Sequence, residues 1–387
     1  MTSSSYFPND DREVDAFREC LTNTAAAATE DIDEESSLFK SQNERDACQR
    51  LVESLENDLR EHAANTSYAY WYLTTQGSGE DERTDNKVIV TEEDKLYAAM
   101  REARRHYVYA NHDFDKALAN LTESCRYRKE KKIDLIRTCF DPQHVYLNPS
   151  DETRAKEMAD LIRFDMKKQY HILRGQDKFG QSIMIKYPRR QANTTEAAYV
   201  MSQIYMAERS TAATEFLTRA KCERSIAVYN YLGFDRSMSP AFPMQIAAAT
   251  QLQKLYPERL QTLVFVEPPL WLKAVLGVLN PFLSDSITER IQWATGIDER
   301  DTTFTRLLGD DLSKATPLLR KDGQLSKPVS LEHFLVDVPF FEIYDNLECQ
   351  RDITEEEANL DKIAHASPVV DEGPSLAEKA TSLWGSI

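Results

Sequence analysis

The sequence predicts an α/β protein: a helical N-terminal lobe followed by a mainly parallel sheet with covering helices. Helical apolar spacing dominates the first part, as where Phe114, Leu118, Leu121 and Cys125 recur on one face of DFDKALANLTESCRYRKEKK. From Gln169 the texture changes. Short β-type runs then alternate with long helical stretches, the order that builds parallel sheets. Across 387 residues, 41% apolar and 29% charged, the composition is of a globular type. No charge-free run reaches the ~18–20 residues that a membrane-spanning helix needs.

Four regions follow along the chain. Residues 1–37 are polar, end in EDIDEESS and read as a flexible acidic arm. Residues 38–160 form the helical lobe. Within it Leu51, Leu55, Leu59 and SYAYWYL predict half-buried helices, and TTQGSGEDERTDNK is a linker before EEDKLYAAMREARRHYVY and the helices after it. Residues 161–345 hold the sheet. YHILR and SIMIKY are strands joined by GQDKFGQ, whose glycines allow a hairpin-like turn. The helix TTEAAYVMSQIYMAERSTAATEFLTRA leads to the strand RSIAVYNYLG, then the helix AFPMQIAAATQLQKLYPERL and the strand QTLVFVE. Residues 346–387 are an acidic C-terminal tail.

Charge narrows the function classes. The net value of −17 divides into −15 over residues 1–94, +8 over 95–190, −1 over 191–300 and −9 over 301–387. A basic middle between acidic ends can meet an anionic surface, and the acidic termini can hold a protein partner. No nucleic-acid reader motif accompanies it, so nucleic acid is not an expected partner. MTSSSYFPNDDREVD lacks the basic start and apolar run of a secretory signal. The six cysteines have no C-x-x-C spacing, which predicts reduced thiols in the cytoplasm. Phosphate-loop, dinucleotide, zinc-protease and nucleophile-elbow motifs are all missing. The GSG at 77–79 reads as flexibility, and His106 and His112 are spaced wrongly for ligands on one helical face. No catalytic residue, metal site or cofactor is expected.

One segment stands apart. Residues 268–283, PPLWLKAVLGVLNPFL, carry a single charge, Lys273. Leu270, Trp271, Leu272, Val275, Leu276, Val278 and Leu279 cover nearly the whole circumference of a helix, whereas a surface helix shows one apolar stripe. Exposing such side chains forfeits about 1.5–3 kcal/mol each. Two arrangements satisfy this: a core helix buried all round, or a helix with one face over an apolar cavity and the other able to meet a membrane. From Leu270 to Leu283 the helix would reach ~21 Å, enough to lie across an opening.

In its flanks the chain resembles the CRAL-TRIO lipid-binding family, the fold of phosphatidylinositol/phosphatidylcholine exchange proteins and tocopherol transfer protein. LYPERLQTLVFVEPP upstream and NPFLSDSITERIQWA downstream are similar to the family's YPERL turn, apolar strand, gating helix and PFL element. DFDKALANLTESCRYRKEKK resembles its helical lead-in from about residue 95, DKFGQSIMIKY its hairpin and RSIAVYNYLGFD its strand end. These pieces keep the family's order from Arg101 to Thr295.

The resemblance implies an apolar lipid pocket closed by a gating helix. The implied function is to bind one lipid, phosphatidylinositol or another phospholipid, and to transfer or present it between membranes. The lipid is the ligand, and the protein is cytoplasmic with transient peripheral contact to a membrane surface. A non-transferring protein-interaction scaffold on the same fold stays open, as does a carrier of a tocopherol-, retinoid- or sterol-like ligand. Glu258 and Arg290 match headgroup positions of phosphatidylinositol-binding members, the second being Lys there; Ser225 and Thr288 complete the implied headgroup set. The chain departs from the family pattern in five places, two of them Gln181 in the hairpin, where arginine is usual, and Asn230 at the strand end, where aspartate is usual. Ile287 stands where a threonine is usual, Ala227 replaces the hydroxyl of a Ser-x-Thr pair, and Glu267–Pro268–Pro269 replaces an Asn-x-Pro corner. Met184 and Val228 on the strands, with Trp271, Leu272, Val275, Leu276, Leu279 and Phe282 on the gating helix, are the expected pocket residues.

Overall fold

In the computed structural model, whose described residues are 15–21, 39–76, 90–191, 193–235, 240–272, 276, 285–309 and 331–343, capping side chains delimit the first helices. Helix α1 covers residues 15–21, and α2 (Gln42–Ser54) starts where Ser41 Oγ accepts the Glu44 N–H at 3.1 Å. Helices α3 (Asn57–Ala64) and α4 (Tyr68–Gln76) follow. A reciprocal Thr91–Asp94 capping box opens α5 (Glu92–Tyr109). Asp113 caps α6 (Phe114–Lys131), and α7 (Pro149–Met166) begins with the proline that fits a first helical turn. Leu51, Leu59, Ala103 and Leu121 meet in the core of this lobe.

The loose arm expected over residues 1–37 does not extend to α1. Ala16, Phe17, Cys20 and Leu21 form one apolar face, and Phe17 stacks on Tyr72 with ring centroids 4.2 Å apart. Polar flanking composition hid this short face.

Helix α8 (Glu196–Thr218) is buried almost all round, so its charged residues need internal partners. Glu208 accepts from Arg128 Nη1 at 2.7 Å, from Arg137 Nε and Nη2 at 2.9 and 2.7 Å, and from Tyr256 Oη at 2.7 Å. Glu215 accepts from Ser67 Oγ and the Ala69 N–H at 3.1 and 3.0 Å. Arg209 donates to the carbonyls of Phe334, Val338 and Pro339 at 2.9–3.3 Å. A second buried set joins Arg101 and Arg105 of α5 to Glu223, just before the third strand, and Arg105 to Glu102. The helical lobe thus grips the sheet domain through ion pairs.

The sheet has the order β1 (His171–Gln176), β2 (Ser182–Lys186), β3 (Ser225–Asn230), β4 (Leu260–Val266), β5 (Ile291–Ala294). The first pair is antiparallel and the rest are parallel. As expected, a tight turn joins β1 to β2: Asp177 Oδ1 accepts the Phe179 and Gln181 N–H groups at 2.9 and 2.8 Å, and Gly180 takes φ +84°. A Cβ at Gly180 would lie 3.1 Å from Thr218 Cγ2, so the turn needs glycine twice over.

The two faces of this sheet differ. On the far face Ile183, Ile185, Ile226, Val228, Val264 and Val266 are fully buried, sealed by Phe304, Leu307 and Leu308 of α10 (Gly296–Leu308). The near face carries Met184, Ala227, Tyr229, Leu263, Phe265, Ile291 and Trp293, related by strand register. Ser182 Oγ of this face donates to the Ser210 carbonyl at 2.8 Å, which fixes α8 above it. With right-handed crossovers, α9 (Phe242–Leu255), which packs on α8, lies over the same face.

Two stability predictions follow from this packing. Ile185→Ala should cost about 2–4 kcal/mol and Met184→Ala, its half-buried neighbour on the other face, less than half as much, both read by urea unfolding. Burial alone would raise the Glu102 and Glu208 carboxyls, but the guanidiniums of Arg105 and of Arg128 with Arg137 hold both below the usual range. Their stabilisation is present above the unfolded value near pH 4.5 and is lost as pH falls through the lower folded values. Glu208→Gln should lower stability at pH 7 by about 3–5 kcal/mol and flatten the acid limb of the stability–pH profile.

Candidate functional site

Strand alternation sets what faces the crossovers. Tyr229, Phe265 and Trp293 occupy equivalent register positions on β3, β4 and β5, so their rings form a row across the near face. Centroids are 5.5 Å apart for Tyr229–Phe265 and 5.2 Å for the stacked Phe265–Trp293 pair. Tyr231 continues the row, 6.1 Å from Phe265, and Phe234 packs edge-on to Tyr231. Phe234 in turn lies 6.2 Å from Trp271. Such tilted and offset pairs suit the ring quadrupoles.

Unlike the far face, this one is not filled. Met184, Tyr229, Leu263, Ile291 and Trp293 are all half-buried beneath their crossovers. Helix α9 is similar: Met244, Ile246, Ala247, Ala249 and Leu252 stay half-buried on a helix with little polar character. Protein interiors are otherwise close-packed; these side chains are left partly accessible, although Ala227 and Phe265 between them are buried.

The expected pocket residues divide accordingly. Met184 is on the near face, aligned with Ala227. Val228 is not: it is fully buried on the far face in one cluster with α10, because strand neighbours alternate, and Ala227 and Tyr229 take the near face. Residues 270–272 and 276 are helical. Leu270 is 84% exposed while Leu272 is buried, and Trp271 and Leu276 are half-buried. At its described residues the segment is therefore not buried all round. Val275, Leu279 and Phe282 lie outside the described residues.

The expected headgroup residues collect at the opposite edge, where β3 and β4 begin. Glu258 sits in the YPERL turn at φ +59°, a conformation that costs a non-glycine residue about 1–2 kcal/mol. Its Oε2 accepts from Arg224 Nη2 at 2.7 Å and from Arg290 Nη2 at 2.5 Å. Arg224 Nε also donates to the Glu258 carbonyl at 3.1 Å, and Arg290 Nη1 to the Leu260 carbonyl at 2.6 Å. Two guanidiniums against one carboxylate leave a local positive charge. Burial and the neighbouring Arg290 both depress Arg224, a mark of cations held close. The side chains of Arg224 and Arg290 are 35% and 18% exposed, so both reach solvent.

Ser225 adjoins this pair in the chain, yet its Oγ turns to α8, 3.4 Å from Ser210 Oγ. Thr288 ends a helical turn, Asp285–Thr288, and is half-buried two residues before Arg290. Arg224 and the aromatic row were not anticipated from the sequence. Period-2 alternation through SIAVYN and LQTLVFV was the signal available for the row, whereas Arg224 needed the fold.

Comparison with known proteins gives one family. Residues 166–310, which contain the sheet with α8, α9 and α10, match the family model described as CRAL/TRIO domain. A solved structure titled "Crystal structure of Sfh5" is similar at 15% sequence identity and a TM-score of 0.38, covering 65% of this chain and 84% of that chain. A search of curated proteins finds no match. Residues 166–310 are thereby identified as a CRAL/TRIO domain.

Proposed function

We propose that this protein binds a single lipid, phosphatidylinositol or another phospholipid, against the near face of its sheet and transfers it between membranes or presents it. The contrast between the two faces carries the reading: six strand side chains are fully buried on one, and five apolar ones are left half-buried on the other. Acyl chains entering that space leave water for matching surroundings, each buried methylene contributing about 0.8 kcal/mol. The activity is physical, with no covalent step. Opening is coupled to a membrane through Leu270, which is exposed at the start of the expected gating helix while Leu272 points inward. A bilayer that takes up Leu270 favours the open state by its differential affinity for that state.

In this reading Arg290, with Arg224 beside it, faces the headgroup phosphate and Glu258 holds the two guanidiniums in place. Guanidinium–phosphate hydrogen bonds are charge-assisted and bidentate. The carboxylate can also accept from headgroup hydroxyls, and Ser225 and Thr288 flank the pair. A second reading, a carrier of a non-phospholipid hydrophobic ligand, draws on the Tyr229–Phe265–Trp293 row, whose flat faces suit ring systems.

Arg290→Ala should weaken phosphatidylinositol binding about tenfold or more and leave binding of a neutral lipid nearly unchanged, measured with vesicle-derived ligands. Equal loss for both would place Arg290 in the fold and not at the headgroup. Leu276→Asp should slow lipid transfer between vesicles while keeping far-UV helicity; transfer at the wild-type rate would remove the gating role.

A further inference from the structure

Near the C-terminal edge of β2 a lysine interrupts the apolar floor. Lys186 is on the near face, aligned with Tyr229 on β3 and opposite His171 on β1. It is 5% exposed, and among the described residues no carboxylate lies within ion-pairing distance of its ammonium. Instead Nζ donates to Tyr199 Oη at 2.8 Å and to Gln203 Oε1 at 3.3 Å. The rings of Tyr170, Tyr199 and Tyr229 surround it, with centroids at 5.4, 4.8 and 5.2 Å. A buried charge with no counter-ion is costly even inside such a cage.

The nearest acid does not resolve this. Asp165 is spent on other donors: Tyr170 Oη at 2.5 Å, Gln191 Nε2 at 3.4 Å and Ser202 Oγ. It is linked to the ammonium only indirectly, through Gln203, whose Nε2 donates to Tyr170 Oη at 2.9 Å and to Ser202 Oγ at 3.2 Å. A second group beside Lys186 is also unsatisfied. His171 is 6% exposed, and its Nδ1 is buried with no hydrogen-bond partner. Burial, and then the Lys186 charge, keep this imidazole neutral. A cation without an anion and an orphaned ring nitrogen thus adjoin the end of the half-filled aromatic row. The charge to be balanced is one.

Resting on the reading that the near face holds a lipid, we propose that Lys186, with His171 and Tyr229 beside it, receives a carboxylate of the bound ligand. A monoanion there supplies the missing counter-charge and can accept from the Nδ1–H tautomer of the neutral His171 ring and from the Tyr229 hydroxyl. A hydrocarbon tail or an alcohol supplies no such charge. The site is distinct from the guanidinium pair, which sits at the starts of β3 and β4, so the ligand class it selects is a fatty or isoprenoid acid.

The test is isothermal titration of the full chain with dodecanoate and dodecanol, each carried on cyclodextrin. The expected result is at least tenfold tighter binding of dodecanoate, with Lys186→Met erasing the preference while dodecanol binding persists as a control for the fold. His171→Phe, which leaves the lysine in place, should reduce the preference severalfold. Equal affinity of the wild type for both ligands, or a preference that survives Lys186→Met, overturns the proposal and leaves the lipid-binding reading standing. Failure of the wild type to bind either ligand also overturns the proposal, and the lipid-binding reading falls with it only if the chain takes no lipid from phosphatidylcholine and phosphatidylinositol vesicles.

Discussion

Strands β2 to β5 are added to the sheet in one direction, and each parallel addition needs a crossover of the same hand. Helices α8 and α9 are therefore forced onto one face, and α10 is left to seal the other. The covers of the near face are unequal in kind. Helix α8 is fixed by hydroxyl bonds to β2 and by buried ion pairs. Helix α9 is half-buried, and Trp271 in the last crossover lies 6.2 Å from the Phe234 ring. A close-packed cover cannot be entered; a partly packed one can.

The rigid parts of the molecule are concentrated where the strands begin. Glu223 precedes β3, and Tyr256 and Arg259 precede β4; each is tied to the helical lobe or to Glu208 by buried hydrogen bonds or ion pairs. Arg259 donates to the Thr66 carbonyl at 3.3 Å, linking that turn to the segment before α4. The left-handed conformation of Glu258 next to it is held by this surrounding structure. The polar edge with Arg224 and Arg290 is thereby a fixed feature, whereas Trp271 and Leu276 at the other end stay half-buried. Over β4 the two ends stand roughly 20 Å apart, a distance the expected gating helix matches.

Much of the architecture was legible in the chain. The change from helical to alternating texture at Gln169 located the sheet, GQDKFGQ gave the hairpin, and YPERL located the turn that holds Glu258. Alternation showed that SIAVYN has two faces but not which one meets which cover, because each side is largely apolar and the polar ends, Ser225 and Asn230, fall one on each side; Val228 was assigned to the wrong face for that reason. Arg224 and Lys186 read as ordinary charges in sequence. Only the register that brings Arg224 to Glu258, and Lys186 to His171 and Tyr229, gives them meaning. Helix α1 escaped notice because four apolar residues among acids carry too weak a period.

The central claim is that the near face is a ligand-holding surface and not an underpacked core. Native mass spectrometry of the purified full chain, followed by organic extraction and identification of what is released, tests it most directly. The account predicts one lipid molecule per chain, or its uptake from vesicles of phosphatidylcholine and phosphatidylinositol by chain that purifies empty. A chain that purifies without ligand and takes no lipid from such vesicles would contradict it.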